Sequence, residues 1–289
     1  MTPSTRTDPS SPAANSAANP AGISAARSRR VRLDQLIVER ALASSRARAQ
    51  AMLLAGQVRV GDGDAARRDR KPGDLVDPAI TILLEERDPY VSRGGHKLAA
   101  ALDAFGIDPT GVAAIDVGAS TGGFTDVLLQ RGARRVYAVD VGRGQLADVL
   151  RRDRRVVSME RTNVRSLDAT SLPELVDLAV VDVSFISLAK VLGPIRSVLA
   201  PRAPVVALVK PQFEAGRGRT DRGVVRDPAI HREVLDGVVA AAADVGLGTR
   251  AVIASPILGP EGNREFLVHL APGPGCAEIG DRIAEAVGP

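Results

Sequence analysis

Tryptophan is absent from this 289-residue chain, and five phenylalanines and two tyrosines are its whole aromatic complement. A surface so poor in rings offers few stacking platforms, which points any contact with nucleic acid toward shape and phosphate instead of base reading. One cysteine, Cys276, excludes an intrachain disulfide and a thiol-based zinc site, and makes a reducing cytoplasm the expected setting. The three histidines, His96, His231 and His269, are scattered, so no metal is expected. No uninterrupted apolar stretch nears membrane-spanning length, and 45% hydrophobic with 25% charged residues describes a soluble protein with real cores and no membrane partner. Lysine is scarce as well. The 38 basic residues include only Lys71, Lys97, Lys190 and Lys210, leaving arginine to carry nearly every positive charge. The net charge of +4 says little about partners, because Arg6, Arg27, Arg29 and Arg30 against Asp8 put +3 of it in the first thirty residues.

Residues 1–30, rich in Ser, Pro, Ala and Asn and without the apolar core of a secretory signal, are expected to form a disordered tail. Residues 31–90 suggest a small α+β domain. Leu33, Leu36 and Ile37 mark one helix, Ser44-Ser45 open a second that carries Ala49, Met52 and Leu53 and stops at Gly56, and short strands follow at Val58, Val60 and Leu75 to Leu84. After a linker at 91–96, strands alternate with helices over 97–271: strands at 113–117, 135–140, 178–183, 205–209 and 266–270, helices at 123–130, 191–199 and 229–243. This rhythm predicts an α/β, Rossmann-like doubly wound sheet with ligands at the carboxyl ends of its strands. Residues 272–289 carry no assigned role.

The first domain carries Arg40, Arg46, Arg48 and Arg59 with no acid between them, although over 31–90 the charges cancel at ten each. The segments Arg32-Leu33-Asp34, Ser45-Arg46-Ala47-Arg48-Ala49 and Gly56-Gln57-Val58-Arg59-Val60-Gly61 resemble the S4 RNA-binding domain. That resemblance implies that Arg32, Arg40, Arg46, Arg48 and Arg59, with Arg93 beyond them, contact RNA. A guanidinium fork suits the purpose, since it grips phosphate oxygens in pairs.

The richest segment is Asp116-Val117-Gly118-Ala119-Ser120-Thr121-Gly122-Gly123-Phe124, where a strand ends in an acid and a glycine turn leads into a helix. Asp140 ends the next strand, where a carboxylate can accept both hydroxyls of a ribose. Dinucleotides and S-adenosylmethionine both use this arrangement. The dinucleotide fingerprint requires glycine where Ser120 stands, which weakens the pyrophosphate reading. The turn resembles the first motif of S-adenosylmethionine-dependent methyltransferases. In that family Gly118, Ser120, Thr121, Gly122, Gly123 and Phe124 would enclose the cofactor with Asp116, Asp140 and Asp182, and Asn163 and Val164 would hold the adenine.

Four further segments each bring one ionisable side chain to a strand end or helix start: Ser92-Arg93-Gly94-Gly95-His96-Lys97, Asp182-Val183-Ser184-Phe185, Lys210-Pro211-Gln212-Phe213-Glu214 and Gly262-Asn263-Arg264-Glu265-Phe266. The set resembles the Lys-Asp-Lys-Glu tetrad of FtsJ-like ribose 2′-O-methyltransferases. Joined to an S4-like domain it is similar to the TlyA family of ribosomal RNA cytidine 2′-O-methyltransferases, once described as hemolysins. The resemblance implies a monomeric cytoplasmic enzyme whose partners are ribosomal RNA and ribosomal subunits. An alcohol attacking a sulfonium methyl needs its oxygen aimed and its proton moved, and a desolvated lysine beside a second cation can take that proton. Lys210 is the candidate for this role, or for positioning the oxygen. Lys97 is the neighbouring cation, Asp182 orients Lys210, and Glu265 fixes Lys97 or the ribose. The Gly216-to-Pro228 segment reads as a basic loop closing over RNA, or as a linker. Two other classes compete: a membrane-active cytolysin, which lacks an apolar helix here, and a non-catalytic ribosome-assembly factor, which would not need an intact tetrad.

Overall fold

The computed structural model describes residues 30–63, 66–84, 88–216 and 218–288. The expected disordered tail lies outside them, apart from Arg30, as does Arg217 of the basic loop. The chain divides into two compact units, Met1–Arg87 and Asp88–Pro289.

In the first unit β1 (Val31–Arg32) leads into α1 (Leu33–Glu39) and α2 (Arg46–Leu54), followed by β2 (Val58–Val60), β3 (Leu75–Val76) and β4 (Ile82–Leu84). Ser45 starts α2 by accepting the Arg48 N–H at 3.2 Å, and Gly56, at φ +66°, ends it in the left-handed conformation that glycine adopts without strain. Two antiparallel pairs, β1 with β3 and β2 with β4, close over Leu33, Ile37, Ala49, Leu53, Val58 and Val60. The apolar spacing that predicted both helices is the spacing that buries them.

The second unit opens with α3 (Gly94–Phe105), followed by β5 (Ala113–Val117), α4 (Gly123–Gln130), β6 (Arg135–Val139), α5 (Asp148–Arg151), β7 (Val156–Met159) and β8 (Leu178–Val181). It continues through α6 (Leu192–Val198), β9 (Val205–Val209), α7 (Pro211–Glu214), α8 (Pro228–Asp244), β10 (Leu247–Ala254), β11 (Phe266–Pro272) and α9 (Ile279–Val287). The seven strands lie in the order β10-β11-β9-β8-β5-β6-β7. Only β11 runs against the others, antiparallel to both β9 and β10.

Alternate residues of the central strands feed two apolar layers. Ile115, Val117, Ala179, Val181, Val205 and Ala207 face α6, α8 and α9, while Ala114, Leu178, Val180 and Val206 face α3 and α4. Strands buried on both faces read as apolar runs, unbroken in β8 and β9 and interrupted only by Asp116 in β5, which is why all three were predictable. Three differences from the sequence reading matter for the site. Helix α3 begins at Gly94, inside the expected linker at 91–96, so Lys97 stands in its first turn; β8 stops at Val181, leaving Asp182 as the first residue past the strand; and α9, unassigned from sequence, packs its Ile283, Ala286 and Val287 into the core. Among the described residues no helix is long and apolar enough to cross a membrane.

Candidate active site

The chain leaves β5, the first strand of the sheet, toward β6 and β7, then returns to β8 on the other side of β5. At such a reversal the connections diverge and open a crevice at the strand ends. Gly118 stands there at φ +86°, and a Cβ on it would lie 2.4 Å from the Asp182 carbonyl oxygen, so only glycine lets the two strand ends approach. Ser120, at φ +48°, also takes the left-handed region, and Asp140 receives its N–H at 2.9 Å and that of Gly142 at 2.6 Å. The two backbone donors fix the Asp140 carboxylate at the crevice edge.

Two cavities share the walls formed by Gly118, Ser120 and Asp182. The first, about 380 Å³, is lined by Asp116, Ala119, Thr121, Gly123 and Phe124 together with all four tetrad residues, Lys97, Asp182, Lys210 and Glu265. The second, about 480 Å³, is lined by Val139, Asp140, Asn163, Val164 and Phe185 among others. Asn163 caps the turn at Val164–Ser166 through its Oδ1, which accepts the Arg165 N–H at 3.1 Å. Gly122 lines neither cavity. A Cβ there would meet Leu150 Cδ1 at 2.3 Å, so its lack of a side chain serves helix packing.

Asp116 is fully buried beneath the first cavity. The Thr125 hydroxyl donates to its Oδ2 at 2.6 Å, whereas Oδ1 has no hydrogen-bond partner among the described residues. Burial pushes this carboxyl up to about 7; the Thr125 hydrogen bond pulls it down, and the Asp182 charge adds to the rise. Asp116, Asp140 and Asp182 thus surround the glycine turn with carboxyl groups. Such a setting favours a ligand that is cationic near Asp116 and has hydroxyls near Asp140, and it disfavours polyphosphate.

The tetrad resolves into two ion pairs. Lys97 Nζ, from α3, lies 2.5 Å from Oε2 of Glu265, the residue just before β11, both side chains buried. Lys210 Nζ, just past β9, lies 2.5 Å from Asp182 Oδ1 and donates to Ser184 Oγ at 2.9 Å. Each ammonium spends one or two of its three donors on these partners and keeps another for an oxygen in the cavity. The sequence reading missed Thr125 and Ser184, although Ser184 lay inside a quoted motif and a hydroxyl three residues past a strand end was the available signal. It also missed Phe185, 89% exposed, at φ +64° and 4.8 Å from the ring of Phe213.

Arg93 lines the first cavity and donates to the Leu258 carbonyl at 3.1 Å. The first unit's arginines are engaged differently from one another. Arg32, Arg46 and Gln50 converge on the buried Asp34, whose carboxyl is driven well below its ordinary range, chiefly by the Arg32 hydrogen bond. Arg40 holds the carbonyls of Ile80 at 2.7 Å and Pro78 at 2.5 Å, and Arg59 reaches the Gly63 carbonyl at 3.4 Å. Arg48 extends from α2 exposed to solvent.

Comparison with known proteins gives a consistent answer. The chain is 45% identical over 243 residues to the 16S/23S rRNA (cytidine-2′-O)-methyltransferase TlyA of Mycobacterium tuberculosis, covering 84% of this chain and 90% of that one. It is 39% identical over 242 residues to Hemolysin A of Brachyspira hyodysenteriae, covering 83% of this chain and 99% of the relative. A solved structure from Streptococcus thermophilus, named as a hemolysin, superposes with a TM-score of 0.68 at 43% identity, covering 90% of this chain and 96% of the other. Residues 90–271, the stretch that carries the glycine turn and both lysine–carboxylate pairs, match the FtsJ-like methyltransferase family, and the chain belongs to that family.

Proposed function

We propose that the chain transfers the methyl group of S-adenosylmethionine to the 2′-hydroxyl of cytidine riboses in ribosomal RNA of the small and large subunits. The observation that carries this reading is the convergence of Lys97–Glu265 and Lys210–Asp182 on the cavity floored by the glycine turn. S-adenosylmethionine supplies an electrophilic methyl on a sulfonium. Its fit is supported by the three carboxyl groups, which suit a cation without phosphates: Asp140 for the ribose hydroxyls, Asn163 and Val164 for the adenine, the Gly118–Thr121 turn and Asp116 for the amino-acid portion.

The attacking oxygen needs a fixed line of approach and an outlet for its proton. In its neutral amine form Lys210, held by Asp182 and Ser184, takes that proton on its lone pair and becomes the ammonium, and Lys97, clamped by Glu265, holds the oxygen from the other side. Phe185, exposed on the wall of the second cavity beside Phe213, offers a face for a base turned out of its stack. Residues 31–90 act as an S4-like RNA-binding domain, with Arg32, Arg46 and Arg48 toward phosphate. The name of the Mycobacterium tuberculosis relative supports cytidine and both subunit RNAs. A monomer working in the cytoplasm on ribosomal subunits completes the reading. Tritium transfer from labelled S-adenosylmethionine to each purified ribosomal subunit tests it: wild type labels them, while Lys210→Ala and Lys97→Ala lose label by at least about a hundredfold. No label from wild type refutes the activity, and equal label from the variants refutes the tetrad.

A further inference from the structure

The buried polar side chains Lys97, Glu265, Asp116 and Thr125 belong to the site described above, whereas Asn263 and His231, 1% and 3% exposed, do not. Both close on one short stretch of backbone. Asn263 Oδ1 accepts the Val225 N–H at 3.0 Å, and its Nδ2 donates to the Gly223 carbonyl at 2.9 Å. His231, on α8, has its Nε2 3.0 Å from the Val225 carbonyl, which makes that nitrogen the donor, and its ring meets the edge of Phe266 at 5.4 Å. Asn263 therefore fastens the loop at 223–225 to the segment that enters β11, while His231 ties the same loop to α8 and packs its ring on Phe266.

That segment houses Glu265. The Asn263 carbonyl accepts the Gly259 N–H at 2.9 Å, which closes the turn, and the Glu265 carbonyl accepts the Ser255 N–H at 2.8 Å. Gly259 packs directly on the carboxylate, since a Cβ there would lie 2.7 Å from Glu265 Oε1. Glu265 is thus seated under a turn whose one end is Asn263, two residues away in the chain. A lost clamp would let the turn shift, and the Lys97 Nζ bonded at 2.5 Å would move with the carboxylate. A displacement of about 1 Å in an acceptor-holding group can cost about a hundredfold in rate.

We infer that Asn263, with His231 behind it, is a positioning residue for the acceptor-holding pair: it locks the 223–225 loop to the Gly259–Asn263 turn and so fixes where Glu265 holds Lys97. The inference rests on the assignment of Lys97 and Glu265 made under the proposed function. An ordinary loop staple would contribute stability alone, and a double-mutant cycle separates the two.

The test measures single-turnover methyl transfer by the full chain to ribosomal subunits, with separate Kd values for S-adenosylhomocysteine and for RNA. Asn263→Asp keeps the acceptor and the shape but loses the donor to Gly223; His231→Phe loses the donor to Val225 while keeping a ring against Phe266. Each variant is expected to slow transfer about tenfold with both Kd values within about twofold of wild type. In a Glu265→Gln background the same changes are expected to slow transfer less than about twofold further. A full tenfold loss in that background, or weakened Kd values at an unchanged rate, overturns the inference. If Glu265→Gln is slow but Asn263→Asp and His231→Phe transfer at the wild-type rate, only this inference falls. If Glu265→Gln itself transfers normally, the tetrad assignment falls and takes the inference with it.

Discussion

Replacing Asp116 by asparagine should stabilise the free protein at alkaline pH and leave it unimproved in acid. Its carboxyl has no exposed surface, one oxygen held by Thr125 and the other bare, with Asp182 and Asp140 adding to the burden of ionising it. In the unfolded chain the same group titrates near about 3.9. Because the folded carboxyl titrates higher, at about 7, the native state holds an extra proton between those two values. The stability this group contributes is present below about pH 4 and is lost as pH rises through about 7. The full interval is worth ~4 kcal/mol. Asparagine carries no charge to bury, but its NH2 would occupy the place of the bare oxygen at a cost of ~1 kcal/mol, which leaves ~3 kcal/mol in favour of Asp116→Asn at pH 8. For a unit of this size that corresponds to about 6–12 °C in Tm. Thermal unfolding of both proteins between pH 4 and 8 should show the difference growing with pH and vanishing or reversing near pH 4 to 5. A Tm difference that stays flat over this range would show that the Asp116 carboxyl titrates normally, and the burial argument would be wrong.

Two glycines of the same turn should fail in different ways. Gly118→Ala drives a Cβ into the Asp182 carbonyl oxygen at 2.4 Å, so isothermal titration should show cofactor affinity down by more than about tenfold. Gly122→Ala forces a side chain onto a backbone at φ +96° as well as against Leu150 and Leu146, and should cost ~2 kcal/mol of stability or more, read by thermal unfolding, with cofactor affinity of the folded protein unchanged. The arginines of the first unit divide similarly. Arg40→Ala abandons two carbonyls and should destabilise that unit by ~2 kcal/mol, measured by urea unfolding. Arg48→Ala, at an exposed position, should leave stability within ~0.5 kcal/mol while lowering rRNA affinity and reducing the slope of log K against log salt by about 1.

Sequence revealed those parts of the fold where burial is two-sided. β5, β8 and β9 are buried at every residue and appear as apolar runs, broken only by Asp116 in β5, and the doubly wound order then gathers their ends without further information. β10 escaped because it is an edge strand: Leu247–Ala254 mixes Gly248, Thr249 and Arg250 with apolar residues, and its pairing shifts between Thr249 and Ala251. α9 was legible in principle, since Ile279, Ile283, Ala286 and Val287 repeat at helical spacing, but the proline- and glycine-rich stretch before it masked the period. Within the site, the identities of Lys97, Asp182, Lys210 and Glu265 could be read from motifs. The pairing of Asp182 with Lys210 was expected as well, whereas Glu265 could have met either Lys97 or the ribose, a choice that depends on approach between residues as far apart as 97 and 265, and the clamp of Asn263 on the 223–225 loop has no local signature. The arginine run of the first unit looked uniformly basic because Asp34, the acid that gathers Arg32 and Arg46, precedes the run and is hidden beneath it.

The scarcity of lysine takes on a physical meaning in the two ion pairs. Lys71 and Lys190 are exposed, where arginine would serve as well, but Lys97 and Lys210 have only 8% and 12% of their side chains accessible. A guanidinium in either place would lay its planar fork along the carboxylate, spend its donors in one plane, and remain protonated at any working pH. An ammonium meets one carboxylate oxygen as a point and can direct a further donor out of that plane. Lys210 shows the geometry, with Asp182 and Ser184 in two of its directions and the cavity left for a third. In a chain that otherwise chooses arginine, the two lysines that are not exposed stand where the proposed reaction needs a single oxygen held and its proton received.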